Sequence, residues 1–173
     1  MEVARLLLVG DSLVEFGHWP RLLPGRTVWN RGRAGETVGE LLGRIPSVLR
    51  ENLAPDAVGV MIGTNNLVCG DFDFLADYAA ILKKLRGALP EEPILACGLF
   101  PMRLPWLAGD ATRRINGALA ELASRRGCLF LDGAALFRGR EEESFAGDGV
   151  HLSETGYRLW ATAIATAVDT AAR

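Results

Sequence analysis

The sequence predicts an α/β fold, a three-layer α/β/α sandwich built on a five-stranded parallel sheet. Short segments that are apolar throughout recur along the chain, and between them lie longer segments whose apolar residues repeat at helical spacing. Strands covered on both faces have continuous apolar runs, and strands that alternate with helices join into a parallel sheet through right-handed crossovers. Because 173 residues suit one domain, we expect a single domain over residues 1–173.

The individual strands and helices follow from this patterning. The predicted strands cover residues 4–9, 27–30, 57–62, 94–98 and 128–131. The predicted helices cover residues 37–53, 74–89, 111–126 and 154–171. Pro46 lacks a backbone N–H and is expected to kink or split the first of these helices. Ser153 is a typical N-cap residue, which favours a start of the last helix at residue 154.

Composition argues against several classes of function. The formal net charge is −2, whereas nucleic-acid-binding domains usually carry a basic face, so we expect no nucleic-acid partner. No apolar run approaches the ~20 residues of a membrane-spanning helix. The first run is too short for a signal peptide, which favours a cytoplasmic protein. The three cysteines match no zinc spacing and no glycine-rich nucleotide-binding pattern occurs, so we expect neither a metal nor a cofactor. The sequence leaves open whether the chain forms a homo-oligomer.

Polar motifs follow four of the predicted strands. They are Gly-Asp-Ser-Leu at residues 10–13, Asn-x4-Gly-x-Thr at residues 30–37, Gly-Thr-Asn-Asn at residues 63–66 and Asp-x-x-His at residues 148–151. Ligands of open parallel sheets bind beyond the carboxyl ends of the strands. We therefore expect the four motifs to meet at one edge of the sheet and to form the functional site there.

The residue types in these motifs suit nucleophilic catalysis. A serine hydroxyl such as that of Ser12 becomes an effective nucleophile when a base removes its proton, and histidine, whose pKa lies near neutrality, is the usual base. His151 comes three residues after Asp148, a carboxylate that is suited to orient the imidazole and stabilise its protonated form. The backbone N–H groups of Ser12 and Gly35 and the side-chain N–H of Asn65 are candidates for an oxyanion hole.

Taken together, the four motifs resemble the four sequence blocks of the SGNH, or GDSL, hydrolase family, in order and spacing over nearly the whole chain. The resemblance implies a flavodoxin-like sheet of order 2-1-3-4-5 and hydrolysis of esters or related acyl bonds without a metal or cofactor. By residue match, it implies Ser12 as the nucleophile, His151 as the base and Asp148 as the residue that orients the base. It also implies that Ser12, Gly35 and Asn65 donate to the oxyanion.

One residue departs from the commonest form of these blocks. In many members an aspartate follows the asparagine of the third block, whereas this chain has Asn66. An Asn-Asn pair also occurs in members that resemble the platelet-activating-factor acetylhydrolases, so the departure implies no loss of catalysis. It does put in doubt any role for a carboxylate at this position.

Two alternatives compete with parts of this interpretation. His18, the second of the two histidines, is a competing base, but it has no carboxylate in the three residues before it, and we expect a surface role. Asp71, Asp73 and Asp77 suggest a calcium site, but this segment lacks the glycine and the terminal glutamate of an EF-hand loop.

The expected substrate is a small or short-chain acyl ester, with thioesters and O-acetyl groups as alternatives, because the short loops leave little material for a lid. Apolar loop residues are candidates to line the acyl pocket: Val14, Leu67, Met102 and Trp106, together with Phe16, Phe72 and Phe74. A second class of function stays open, a flavodoxin-like binding module whose catalytic site is vestigial. The presence of every motif residue favours the enzyme.

Overall fold

The computed structural model describes residues 3–51 and 53–172 of the chain. Its five-stranded sheet has the order β2-β1-β3-β4-β5, and all neighbouring strands are parallel. The strands are β1 (Arg5–Gly10), β2 (Thr27–Gly32), β3 (Ala57–Met61), β4 (Ile94–Cys97) and β5 (Leu129–Leu131). The predicted sheet and its strand order are confirmed, and each strand end lies within about two residues of the prediction.

Long and short helices surround the sheet. The long helices are α3 (Val38–Arg50), α5 (Leu75–Ala88), α6 (Ala111–Arg125) and α9 (Glu154–Ala171). The short helices are α1 (Ser12–Glu15), α2 (Trp19–Leu22), α4 (Thr64–Val68), α7 (Gly133–Leu136) and α8 (Glu141–Ser144). The long helices agree with the prediction. The short ones are absent from it, because segments of four or five residues have too little periodicity to indicate a helix.

The helices form two groups on opposite faces of the sheet. Helices α3, α5 and α6 belong to crossovers that step in the same direction across the sheet, so right-handed connections place them on one face. In agreement, α5 packs against both α3 and α6, whereas α9 packs with α2, α7 and α8. This arrangement gives the expected three layers. None of the described helices combines the length and the apolar character needed to cross a bilayer.

Helix α3 begins with a capping box and continues past a proline. Thr37 accepts the backbone N–H of Glu40, whose carboxylate accepts the N–H of Thr37 in return. Pro46 lies inside the helix, so of the expected kink or split the split does not occur; the buried apolar face of α3 holds the helix together across the proline. The helix ends at Arg50 instead of residue 53, and Asn52, within the predicted helix, lies outside the described residues.

The register of the sheet positions the first three motifs. Gly10, the last residue of β1, is level with Gly32 at the end of β2 and with Met61 at the end of β3. The segments that follow these strands therefore leave the sheet at one edge. Strands β3 and β4 are buried along their whole length, so this edge rests on a rigid apolar core.

Candidate active site

Ser12 lies where β1 ends and α1 begins. A Cβ on Gly10 would collide with the carbonyl oxygen of Met61, so glycine is required for β1 to end this close to β3. Asp11 caps α1, because its Oδ1 accepts the backbone N–H of Leu13 at 3.0 Å. The close approach and the cap together fix the turn that carries the Ser12 side chain.

Ser12, His151 and Asp148 form a continuous hydrogen-bonded chain. The Oγ of Ser12 lies 3.0 Å from Nε2 of His151, and Nδ1 of His151 lies 2.6 Å from Oδ2 of Asp148. An ionised carboxylate only accepts, so Nδ1 carries the proton and Nε2 is left to accept the serine hydroxyl. The hydrogen bonds from His151 and from the N–H of Val150 hold the pKa of Asp148 down, at about 2. Asp148 is therefore ionised near neutral pH.

A short closed loop carries both His151 and Asp148. An antiparallel bridge between Phe145 and Leu152 closes this loop. Within it, the N–H of Ala146 donates to the carbonyl oxygen of His151 at 2.8 Å. The side chains of Asp148 and His151 stay partly exposed, at 50% and 36%. The loop thus holds the histidine against Ser12 while solvent still reaches the pair.

N–H donors suited to an oxyanion hole lie at the same edge. Among residues 3–51 and 53–172, the backbone N–H groups of Ser12 and Gly35 have no hydrogen-bond acceptor. Gly35 has φ +78° and open space where a Cβ would lie, so its backbone conformation is what calls for glycine. Asn65 donates one Nδ2 hydrogen to the carbonyl oxygen of Glu36 at 2.9 Å, which orients the amide and leaves its second hydrogen. The arrangement suits stabilisation of an oxyanion.

The loop between β2 and α3, which carries Gly35, is anchored by a buried ion pair. The Glu36 side chain is 1% exposed and accepts two hydrogen bonds from Arg44 of α3, both at 2.6 Å. On its other side, the loop is tied to α1, because the carboxylate of Glu15 accepts the N–H of Ala34. The sequence alone does not indicate these anchors. Glu36 and Arg44 are eight residues apart, close to two helical turns, but only the fold shows that the glutamate is buried.

Asn66 has a structural environment. Its Oδ1 accepts the N–H of Val38, the first residue of α3, at 3.0 Å, and its Nδ2 donates to Asp71 at 2.7 Å. The carboxylate of Asp71 also accepts the N–H of Asp73. The part of the chain that the structure describes holds no group of three His, Cys, Asp or Glu side chains suited to a metal ion.

The remaining candidates lie in different environments. His18 is exposed at the start of α2, and the Ser12 hydroxyl pairs with His151 instead. The predicted pocket residues Val14, Leu67 and Phe74 are buried in the core and reach no open surface. Val14 and Leu67 are buried because the short helices α1 and α4 turn their side chains inward, and Phe74 is buried at the start of α5. Met102 is half-buried, whereas Phe16, Phe72 and Trp106 are exposed.

Asp11 is buried in a way that the sequence does not indicate. Its carboxyl group is fully buried, and its Oδ2 has no hydrogen-bond partner among the described residues. Burial raises its pKa to about 7, since removal from water disfavours the charged form. Asp11 is a polar residue between Gly10 and Ser12, and nothing in the sequence indicates that its carboxyl group is buried.

Comparison with known proteins adds to this geometry. The sequence model of the GDSL-like lipase/acylhydrolase family matches residues 8–159. The chain is 28% identical over 161 residues to platelet-activating factor acetylhydrolase IB subunit alpha1 of Bos taurus, covering 88% of this chain and 69% of that protein.

Solved structures share the fold. A catalytic mutant of Axe2, an acetylxylan esterase from Geobacillus stearothermophilus, superposes with a TM-score of 0.79 at 20% identity, covering 97% of this chain and 96% of that one. LAE5, an alpha/beta hydrolase enzyme from the metagenome of Lake Arreo, superposes with a TM-score of 0.74 at 20% identity, covering 98% and 97% of the two chains.

Proposed function

The chain belongs to the GDSL-like lipase/acylhydrolase family and is a carboxylic ester hydrolase, and on this premise we propose that it cleaves small or short-chain acyl esters through an acyl-enzyme on Ser12. The hydrogen-bonded chain from Ser12 through His151 to Asp148, with atom separations of 3.0 and 2.6 Å, is the observation that carries the proposal. It joins a nucleophile, a base and the group that orients the base, which is the arrangement that serine acyl transfer needs.

Acylation begins when the Oγ of Ser12 attacks the carbonyl carbon of the ester while Nε2 of His151 takes the hydroxyl proton. The negative charge that develops on the carbonyl oxygen is stabilised by the N–H groups of Ser12, Gly35 and Asn65. The imidazolium, stabilised by ionised Asp148, then gives its proton to the leaving oxygen. The carbon–oxygen bond breaks, and the alcohol departs.

Deacylation repeats these steps with water. His151 removes a proton from a water molecule, which attacks the acyl carbon bound to Ser12. The same N–H donors stabilise the second oxyanion. When the tetrahedral intermediate collapses, His151 returns the proton to Oγ, and the carboxylic acid leaves. The cycle uses side chains, backbone N–H groups and water.

Acetyl is the acyl group to test first. The bovine relative is named an acetylhydrolase, and Axe2 is named an acetylxylan esterase, so both names denote removal of an acetyl group. In this chain, the predicted acyl-pocket residues Val14 and Leu67 are fully buried in the core. A site without these side chains at its surface favours small acyl groups over long chains.

The test is a panel of esters that varies one group at a time. We expect p-nitrophenyl acetate and butyrate to be hydrolysed faster than the octanoate, with an acetyl thioester and an acetylated xylose showing which leaving group is preferred. Ser12→Ala should lower kcat by roughly 10⁴-fold or more in a protein that still folds by circular dichroism. Ser124→Ala, at an exposed serine of α6, is the matched control and should retain activity. Near-normal turnover by Ser12→Ala would remove Ser12 from the mechanism.

A further inference from the structure

A cleft of about 480 Å³ runs between α2 and α9 beside the candidate active site. Its lining includes Phe16, Arg21, Glu154, Tyr157, Arg158 and Thr162. Its size falls within the usual range for small-molecule sites, about 300–1,000 Å³. From Glu154 to Thr162 the wall formed by α9 rises about 12 Å, at 1.5 Å per residue, which is enough for a ring with a substituent.

Phe16 joins this cleft to the catalytic histidine. Its ring lines the cleft, and the ring centroid lies 5.5 Å from that of His151. The side chain is 57% exposed, so it serves as a wall of the cleft more than as part of the core. On the opposite wall, Tyr157 donates from its hydroxyl to the carbonyl oxygen of Leu13 at 3.0 Å, which fixes α9 against α1. The cleft therefore begins on the His151 side of the site.

The proposed mechanism determines which part of the substrate faces this cleft. The carbonyl oxygen must point toward the donors of Gly35 and Asn65, whereas the leaving oxygen must face Nε2 of His151 to receive its proton. The leaving group therefore lies on the His151 side of the scissile bond. This step rests on the function proposed above.

The charged residues of the cleft favour an anion. Arg21 and Arg158 both donate to the same oxygen of Glu154, at 3.0 and 2.9 Å, so two guanidinium groups share one carboxylate. Glu154 is the acidic member of the lining, which leaves the charge of the cleft positive. A guanidinium has five N–H donors in a planar fork that matches carboxylate and phosphate oxygens. The shared glutamate holds the two forks beside each other and leaves most of their donors available.

We propose that this cleft binds the leaving group of the substrate and selects one that carries an anionic oxygen group, a carboxylate or a phosphate. Arg21 and Arg158 bind the anion, and the ring of Phe16 packs against the apolar part of the leaving group. Glu154 positions the arginines and weakens the selection by its own charge.

The kinetic test compares esters that share an acetyl group and a phenyl ring. They are 4-acetoxybenzoate and 4-acetoxyphenyl phosphate, which have anionic leaving groups, and 4-acetoxybenzamide, which is neutral. We expect the kcat/KM ratio of anionic to neutral ester to be about tenfold, and each of Arg21→Gln and Arg158→Gln to lower it about threefold, as for exposed ion pairs. Glu154→Gln should raise the ratio, and high salt should lower it. Arg114→Gln, at an exposed arginine of α6, is the matched control and should leave it unchanged.

A binding measurement separates this inference from the proposed function. We expect 4-hydroxybenzoate and 4-hydroxyphenyl phosphate, the products, to bind the Ser12→Ala protein in calorimetry, and to bind more weakly when Arg21→Gln or Arg158→Gln is added. If binding of these anions depends on Arg21 and Arg158 while wild type hydrolyses no ester, the cleft is an anion site and the proposed function is wrong. If wild type hydrolyses the esters with a ratio near one, and neither arginine affects product binding, the anion site is refuted and the hydrolase stands.

Discussion

The two halves of the candidate site are built differently. The half with Gly35 and Asn65 rests on the level ends of β1, β2 and β3 and on the Glu36–Arg44 ion pair, whose glutamate side chain is 1% exposed. The half with His151 rests on a loop that one β-bridge closes, and the His151 side chain is 36% exposed.

This difference follows from what each half has to do. Oxyanion donors contribute most when they are fixed before the charge develops, because no reorganisation is then needed in the transition state. The Glu36 carbonyl oxygen that orients Asn65 belongs to the same residue whose side chain is locked by Arg44. The histidine, in contrast, must exchange protons with an entering water and a departing alcohol, and its exposed loop suits that exchange. We infer that substitutions in the anchor of the first half affect stability and catalysis together, whereas those in the second half affect catalysis alone.

The largest effect is expected from the exposed half. His151→Ala removes the base and should lower kcat by roughly 10⁴-fold or more, with little change in melting temperature, because the side chain is partly exposed. His18→Ala is the matched control and should have a mild effect, since the Ser12 hydroxyl pairs with His151. Rates of p-nitrophenyl acetate hydrolysis by the two variants decide the assignment. If His18→Ala were inactive and His151→Ala remained active, His18 would be the base and His151 would not.

In the rigid half, Asn65→Ala should lower kcat by about 10²–10³ with KM almost unchanged, because its N–H acts chiefly on the charged transition state. Kinetics and thermal melting of one preparation provide the measurement. Asn66→Ala is the informative neighbour, since Asn66 holds α3 and Asp71 and should lower the melting temperature instead. A normal kcat with a lower melting temperature for Asn65→Ala would make Asn65 a structural residue.

Arg44→Gln tests whether the anchor of the rigid half couples stability to catalysis. It leaves the carboxylate of Glu36 buried without its ion-pair partner, and breaking such a pair typically costs about 3–5 kcal/mol. We expect a clearly lower free energy of unfolding in urea. We also expect a loss of kcat, smaller than that of Asn65→Ala, because Gly35 moves. Arg31→Gln, which breaks a more exposed pair with Glu51, is the control and should cost about 1 kcal/mol or less. If Arg44→Gln and Arg31→Gln lowered the free energy of unfolding equally, the Glu36–Arg44 pair would have no special role.

The last prediction concerns the contribution of Asp11 to stability and its dependence on pH. Its pKa is about 7 in the folded protein and near 3.8 when unfolded, so between these values the folded state retains a proton that the unfolded state has released. The free energy of unfolding therefore falls as pH rises from about 4 to about 7, by up to about 4 kcal/mol. Asp11→Asn removes this loss, so it should melt above wild type at pH 8 and close to wild type at pH 4.

Thermal melts of wild type, Asp11→Asn and Asp73→Asn from pH 4 to pH 8 provide the measurement. Asp73 is exposed, so Asp73→Asn should show no such change with pH. A constant difference between Asp11→Asn and wild type across this range would mean that the buried carboxyl group does not titrate there.

The sequence predicts which residues form this site better than it predicts the contacts that hold them in place. Apolar runs fix the strands, and the motif order indicates which residues meet at the sheet edge. These contacts cannot be predicted from the sequence, for physical reasons. The burial of Glu36 depends on where α3 packs, and four-residue helices such as α1 have no usable periodicity. Because such short helices cannot be predicted, the residues of the acyl pocket cannot be predicted either. Val14 and Leu67 occur next to motif residues, but α1 and α4 turn their side chains into the core.

The proposed mechanism requires that Ser12 is the residue that forms the acyl-enzyme. A fluorophosphonate measures this directly, because the activated serine oxygen bonds to phosphorus as fluoride leaves, and the adduct is stable. After incubation of the folded protein, mass spectrometry of the intact chain and of its peptides locates the added mass. We expect one equivalent on Ser12, slow labelling in His151→Ala and none at that peptide in Ser12→Ala. An unlabelled wild-type protein, as for a vestigial binding module, or a label on another serine would contradict it.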